Sequence, residues 1–228
     1  MPSTADEIAS MLDNFHIFQI ERNAAECPLL TIPAELRNII YEDILGGWEV
    51  HLKFTEEVKS HRKYECYCDS KQHHWKGLKW SQIFRLPLVC RQIHEETRLL
   101  PFQLNTFVID PVPEELLRGL SRGEESEYIN ATLDHYLPRM TEEQINTITS
   151  LAPPYKLLTD LWKEPFCLSK IFTGVKEFVI KDGNILYVTI AGSGGVTRQA
   201  TKAEVINRVR EKEGDDVEVI VVDEQKEL

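Results

Sequence analysis

The chain has 228 residues, 42% of them hydrophobic, which is enough for one large domain or two small ones with buried cores. Its 37 acidic residues outnumber its 26 basic residues, so the formal net charge is −11. That charge argues against general affinity for nucleic acid or for anionic membranes. It is unevenly spread: residues 51–80 are basic and hold four of the seven histidines, whereas residues 211–228 are acidic.

The sequence predicts an intracellular protein, cytoplasmic or nuclear. No apolar run approaches the roughly 18 residues that span a bilayer. The first residues contain acids where a signal peptide needs a positive flank and an apolar stretch. The chain has five cysteines, and Cys27, Cys90 and Cys167 stand isolated in apolar or helical patterns, which is typical of reduced thiols.

A helix is predicted in the stretch LLTIPAELRNIIYEDILGG, residues 29–47. Pro33 stands in the first turn, where a helix tolerates proline, and Gly46 with Gly47 ends the helix. Apolar residues recur at spacings of three and four, which places them on one helical face. This face consists of Leu36, Ile39, Ile40 and Ile44.

A second helix is predicted after Pro87, in the stretch LPLVCRQIHEETRLL, residues 86–100. Between the two helices, WEVHLKF alternates apolar and polar residues and predicts a strand. Residues 55–80 then predict an irregular basic segment. After the second helix, NTFVID predicts a short strand.

The remainder predicts an acidic helical segment followed by a small layer of strands and helices. Pro153-Pro154 marks the best boundary between the two. VKEFVIKDGNILYVTIA predicts a hairpin that turns at Asp182-Gly183. Thr201 and Glu204 form a capping box for a helix that ends at Gly214. DVEVIVVD predicts a final strand that is buried on both faces at its centre.

Zinc ligands of the right chemical type occur between the two helices, in HRKYECYCDSKQHHW. One residue separates the two cysteines, where structural sites place about two to four, so a solvated basic loop is the competing interpretation. A loop without its own core would nevertheless gain stability from a metal. We predict no cofactor, with zinc as the alternative. The candidate ligands are Cys66, Cys68, His73 and His74, with His61 as a further candidate.

The sequence contains no serine nucleophile elbow, no His-Glu-x-x-His helix and no kinase motif set. We therefore nominate no catalytic residue and predict a protein that is not an enzyme. An enzyme whose site assembles from distant residues remains an alternative. That alternative predicts a deep pocket with convergent polar groups.

The stretches LTIPAELRNIIYEDIL and LPLVCRQIHEETRLLPFQLNTFVI resemble a large group of fungal F-box-like proteins. Their pattern is a Leu-Pro-x-Glu-Leu-Arg-Asn-x-Ile-Tyr helix and a Cys-Arg-Gln-Ile-x-x-Glu helix that runs into Asn-Thr-Phe. Residues 31–45 and 86–108 match it, with Ile32 at the position of the usual Leu. The resemblance covers about a third of the chain.

In true F-box domains the Leu-Pro helix docks on the Skp adaptor of a cullin-RING ubiquitin ligase, and the rest of the protein captures a target. The resemblance therefore implies a non-catalytic interaction protein that bridges a Skp-type adaptor and a target protein. Burial of both helices in the core, a zinc-stabilised binding protein without a ligase role, and an enzyme stay open as alternatives. The implied docking residues are Ile32, Pro33, Leu36, Ile39, Ile40 and Ile44, supported by Val89, Cys90 and Ile93 from the second helix.

Together these observations predict an α+β protein, with a helical F-box-like N-terminal module packed on a small C-terminal mixed α/β layer. The predicted divisions are an arm at 1–27, the module at 28–110 with a basic inserted loop at 46–80, an acidic helical connector at 111–152 and the C-terminal layer at 153–228.

Overall fold

The computed structural model describes residues 22, 25–58, 61–70, 75–111, 122–154, 167–181, 187–189, 197–199 and 201–222. Most of the predicted arm at 1–27 lies outside these residues. The hairpin turn predicted at Asp182-Gly183 does so as well.

Nine strands form in the described part of the chain, seven of them in one sheet. β1 and β2 make a long antiparallel hairpin, and β3 extends it on the outer side. β7 and β8 pair separately. The strands are β1 Trp48–Val58, β2 His61–Ser70, β3 Trp75–Lys79, β4 Thr106–Ile109, β5 Ser150–Ala152, β6 Glu177–Lys181, β7 Tyr187–Thr189, β8 Thr197–Gln199 and β9 Glu218–Val222.

The large sheet has the order β3-β2-β1-β4-β5-β6-β9. From β1 to β9 all neighbours are parallel, because each return to the sheet passes through a crossover that contains helix. Both helices and strands therefore build the fold, as predicted. One sheet runs through the segments that we predicted as module, connector and C-terminal layer, so the C-terminal strands extend the N-terminal sheet rather than form a layer of their own.

The helices lie between these strands and are mostly short. Among the helices whose side chains are all described, α2 and α9 are the regular amphipathic helices. Two single 3₁₀ turns, Leu86–Leu88 and Leu137–Arg139, precede α4 and follow α6. The helices are α1 Pro28–Thr31, α2 Ala34–Leu45, α3 Trp80–Ile83, α4 Arg91–Thr97, α5 Leu100–Gln103, α6 Arg122–Tyr136, α7 Glu142–Thr147, α8 Leu168–Ile171 and α9 Lys202–Glu213.

The hydrophobic core lies on one face of the large sheet. On β1, Val50 and Leu52 are fully buried in this core. Glu49 and His51 alternate with them and so project from the opposite face, because successive strand residues point to opposite sides. The same alternation in the other strands gives an apolar core face and an opposite face, here called the polar face, that carries charged residues together with Val108, Ala152 and Val179. The core includes Phe107, Ile109, Leu151, Phe178, Ile180 and Val219.

The prediction that residues 55–80 are irregular is wrong, because most of this segment is strand. The sequence signal was the alternation in YECYCDS, where Tyr64, Cys66 and Cys68 take one side of β2 and pack on the core. Two cysteines separated by a tyrosine and flanked by acidic residues look like a ligand-rich loop. They are also an ordinary half-buried strand pattern.

The predicted hairpin after residue 175 is also wrong in its pairing. β6 is paired with β5 and β9 in parallel, while β7 is paired with β8. The final strand forms where predicted, but it is the edge of the sheet, and Ile220 at its centre is 36% exposed. The capping box of Thr201 and Glu204 and the helix end at Gly214 are confirmed.

Asn105 joins α2, β1 and α5 from a buried position. Its Nδ2 donates to the carbonyls of Leu45 at 2.6 Å and Pro101 at 2.8 Å, and its Oδ1 accepts from the amide of Trp48 at 2.8 Å. These backbone groups lie at a helix end, a strand start and a short helix, where the regular ladders leave them unpaired. Asn105 therefore sets where α2 stops and β1 begins.

We expect Asn105→Ala to lower the free energy of unfolding by about 2–4 kcal/mol, because it leaves buried backbone groups without partners. Urea denaturation followed by circular dichroism measures this. Asn38→Ala, at an exposed position of α2, is the matched control and should change stability by less than about 0.5 kcal/mol. Equal effects of the two substitutions would contradict the assigned role.

Candidate functional site

A polar network joins the two motif helices. Arg37 of α2 donates to both carboxylate oxygens of Glu96 on α4, at 2.9 Å from Nε and 2.5 Å from Nη2. Tyr41 donates its hydroxyl to the same carboxylate at 2.9 Å, and Gln92 donates at 3.1 Å. The hydrogen bond from Arg37 lowers the pKa of Glu96, although burial opposes it. Burial, followed by the bond to Glu96, raises the pKa of Tyr41 to about 12. Glu96 is therefore an ionised anchor for α2.

This network explains the polar half of the sequence pattern. The Arg and Tyr of the first motif and the Gln and Glu of the second meet at one carboxylate, and the Asn of Asn-Thr-Phe closes the end of α2. These residues position the helices. Sequence reasoning assigned roles only to the apolar positions and overlooked this function. A spacing of four between Arg37 and Tyr41 was the signal that both lie on one side of a helix.

The apolar face of α2 points to solvent. Residues 37, 41 and 45 face inward, and the residues between them must face outward because a helix repeats every 3.6 residues. The exposed fractions are 51% for Leu36, 61% for Ile39, 36% for Ile40 and 44% for Ile44. The alternative in which this face is core is therefore wrong. We call these four residues the α2 apolar face.

Two aromatic residues continue from the C-terminal end of this face. The indole Nε1 of Trp48 donates to the carbonyl of Ile44 at 3.3 Å. Trp48 is buried, and its ring lies 5.9 Å from the ring of Trp75, which is 55% exposed. The exposed apolar surface near α2 thus extends onto β3.

The other implied docking residues differ in their placement. Pro33 is exposed beside the α2 apolar face, and Ile32 is half-buried. Val89 is 66% exposed, next to Leu88 at 79%, and Cys90 is half-buried. Ile93 is 1% exposed and belongs to the interior, so a partner does not reach it directly.

The proposed zinc ligands are not brought together among the described residues. Cys66 and Cys68 lie on the core-facing side of β2, and burial raises the pKa of the two thiols to about 11 and about 12. Zinc ligands are thiolates, so this environment favours the wrong protonation state. His73, His74 and the side chain of His61 fall outside the described residues. Within the described ranges, no group of three or more His, Cys, Asp and Glu side chains is arranged to hold a metal ion.

A buried charged cluster lies on the polar face of the sheet, and sequence reasoning missed it. His51 on β1 is hydrogen-bonded through Nδ1 to Asp110 at the end of β4, at 2.7 Å. Tyr67 of β2 stacks on the imidazole at 4.5 Å and donates its hydroxyl to the other oxygen of Asp110 at 2.9 Å. Lys181, at the end of β6, pairs with Glu49 at 2.7 Å. The alternation of Glu49 and His51 in WEVHLKF indicated a polar face, but not its partners.

The imidazole of His51 is positively charged at neutral pH. Burial alone lowers its pKa, but the hydrogen bond to Asp110, the nearby carboxylate of Glu49 and the charge of Asp110 outweigh burial and raise the pKa to about 9. Its Nε2 lies 3.8 Å from Glu49 and 3.7 Å from Asp69, beyond hydrogen-bond length. Among the described residues this buried nitrogen has no hydrogen-bond partner.

The described helices include none that is long and apolar enough to cross a membrane.

The fold and its surfaces define a mixed α/β protein with an exposed apolar helix face and a buried charged cluster. A family model described as "Domain of unknown function (DUF7730)" matches residues 22–152, more than half of the chain. The protein belongs to this family, and the matched region contains both motif helices and strands β1 to β5. No curated protein matches the chain, and no solved structure matches it.

The exposure of the α2 apolar face has a direct consequence for stability. We expect Leu36→Asp to change the free energy of unfolding by less than about 0.5 kcal/mol, because the carboxylate stays in water. Leu45→Asp is the contrasting variant on the inward side of the same helix, where Leu45 is fully buried. It should lower stability by several kcal/mol, because an unpaired carboxylate enters the core. Urea denaturation of the two variants compares them, and a large loss for Leu36→Asp would contradict the exposed orientation.

The raised pKa of His51 makes stability depend on pH. The folded protein holds a proton on His51 up to about pH 9, whereas an unfolded His releases it near pH 6.5. The stabilisation is therefore complete below about pH 6.5 and falls by up to about 1.4 kcal/mol per pH unit as pH rises to 9. We expect His51→Gln to destabilise most at pH 6 and least above pH 9. Urea denaturation across this range, with exposed His94→Gln as control, measures the difference.

Proposed function

We propose that the protein is a non-catalytic interaction protein that docks on a partner through the α2 apolar face. The observation that supports this is the exposure of Leu36, Ile39, Ile40 and Ile44 on one side of a well-anchored helix. Scattered exposed apolar residues are ordinary, but a contiguous apolar patch is typical of a protein–protein contact. A preformed helix loses little conformational entropy when it binds, so most of the contact energy is available for affinity.

We propose a Skp-type adaptor as the partner, and an F-box-type substrate receptor of a cullin-RING ubiquitin ligase as the role. The resemblance of residues 31–45 and 86–108 to fungal F-box-like proteins supports this choice. The exposed part of that pattern is what a partner would contact, namely Pro33 and the α2 apolar face. Val89, exposed ahead of α4, is the candidate contact from the second motif.

The anchoring of α2 supports a docking role as well. Glu96 of α4 binds Arg37 and Tyr41 of α2, although three strands lie between these two helices in the sequence. The connection between the two motif helices is therefore long, but their side-chain bonds keep them together. A few apolar side chains on such a rigid element are sufficient to dominate the energy of an interface.

A binding assay with purified fungal Skp adaptor tests the proposal. We expect the wild-type protein to retain the adaptor in a pull-down, and Ile40→Asp to abolish retention because a charge would be buried in the interface. Ile220→Asp is the matched control. Ile220 has the same 36% exposure, on the sheet edge away from α2. Circular dichroism of each variant verifies folding.

The outcomes separate clearly. Loss of retention in folded Ile40→Asp, together with retention in Ile220→Asp, supports adaptor docking. Absence of retention by folded wild-type protein overturns the adaptor as the partner. Retention by both variants shows that the adaptor contacts a different surface.

A further inference from the structure

A cavity of about 320 Å³ lies on the polar face of the sheet, at the carboxyl ends of β4, β5 and β6. Its lining residues lie on four adjacent parallel strands, β1, β4, β5 and β6, or directly follow them. Pockets in parallel sheets commonly lie outside the carboxyl ends of the strands, because the chain leaves the sheet there. The lining includes His51, Val108, Asp110, Ala152, Val179 and Lys181.

The register of the strands explains this lining. His51 pairs with Val108, and Val108 pairs with Ala152, so these three residues form one row across the polar face. Val179 continues the row, since it follows Phe178, the partner of Leu151. The small side chains in the middle of the row leave space above the sheet.

The next row, two residues further along each strand, provides the polar rim. Asp110 follows Val108 by two residues, and Lys181 follows Val179 by two, so both project from the same face. Lys181 pairs with Glu49 of β1, although β4 and β5 lie between their strands. This ion pair therefore spans the sheet at the cavity.

The charged side chains that line the cavity are already partly hydrogen-bonded to other residues. Both carboxylate oxygens of Asp110 already accept a hydrogen bond. An ammonium group has three N–H donors, and Lys181 uses one of them on Glu49. The Nε2 of His51 is buried beside the carboxylates of Glu49 and Asp69, neither of which lines the cavity, so it is not a donor to this space. The cavity thus offers unused donors on Lys181, which an acceptor oxygen of a ligand would satisfy.

We propose that this cavity binds a small uncharged organic molecule that has an acceptor oxygen, such as a carboxamide, and a short apolar body. The oxygen would accept from Lys181, and the apolar body would contact Val108, Ala152 and Val179. Buried charges here already have partners: Lys181 pairs with Glu49 and His51 with Asp110. A charged ligand would bring an additional buried charge without a dedicated partner, which is unfavourable.

Three probes of one length test the preference for an uncharged ligand: pentanamide, pentanoate and pentylammonium. Each is titrated into the 228-residue protein at pH 7 while backbone amide shifts are followed by nuclear magnetic resonance. We expect pentanamide to shift the amides of Asp110, Ala152 and Lys181 in a saturable manner. The two ions should bind at least about tenfold more weakly.

Two pairs of variants locate the binding. Ala152→Leu fills the cavity and should abolish the pentanamide shifts, whereas Ala203→Leu, on the exposed side of α9, should not. Lys181→Met removes the donor but keeps the length of the side chain, and we expect it to weaken binding about tenfold or more. Lys176→Met, at an exposed position before β6, is its control. If Ala152→Leu does not fold, Val179→Leu replaces it.

Saturable pentanamide binding that is lost on cavity filling supports the site. The proposal is overturned if pentanamide produces no saturable shifts at the cavity. It is also overturned if either ion binds as tightly as the amide, or if the filled variant binds like the wild type.

Discussion

The Glu96 carboxylate determines how the N-terminal half of the molecule is arranged. It receives Arg37 and Tyr41 from α2, and these two side chains determine which side of α2 faces inward. Since a helix has only one inward side, the α2 apolar face must then face solvent. In an ordinary amphipathic helix these apolar residues would pack against the protein core, but here they are exposed on the surface. Anchoring and exposure are thus two results of one interaction.

β1 connects this exposed helix to the polar cavity. It begins at Trp48, where Asn105 closes α2, and its alternating side chains then enter the core on one face and the charged cluster on the other. Displacing β1 would therefore disturb both surfaces. The region matched by the family model contains α2, β1 and Asp110, whereas Lys181 lies beyond it. The cavity consequently depends on a strand outside the matched region.

The predictions from sequence succeeded where the signal was local. α2 forms between Pro33 and Gly46, and α9 begins at its capping box, because caps and prolines act within one helical turn. The predictions failed where the result depended on which strands pair with each other. β6 turned out to pair with β5 and β9, and the segment after Phe54 continued as β1 and β2. Paired strands lie tens of residues apart in the sequence, and the sequence of one strand does not identify the strand with which it pairs.

The sequence by itself determined the mixed α/β class, the positions of α2, α4 and α9, and the set of apolar residues on α2. Only the tertiary structure decided that this set faces outward, because the choice between two helical faces depends on a carboxylate from another helix. Only the structure brought His51, Asp110 and Lys181 to one cavity, because each stands alone in the sequence on a different strand. The periodicity of a helix can be read from its own segment. The orientation of the α2 apolar face and the convergence of side chains from different strands depend on how the whole fold packs.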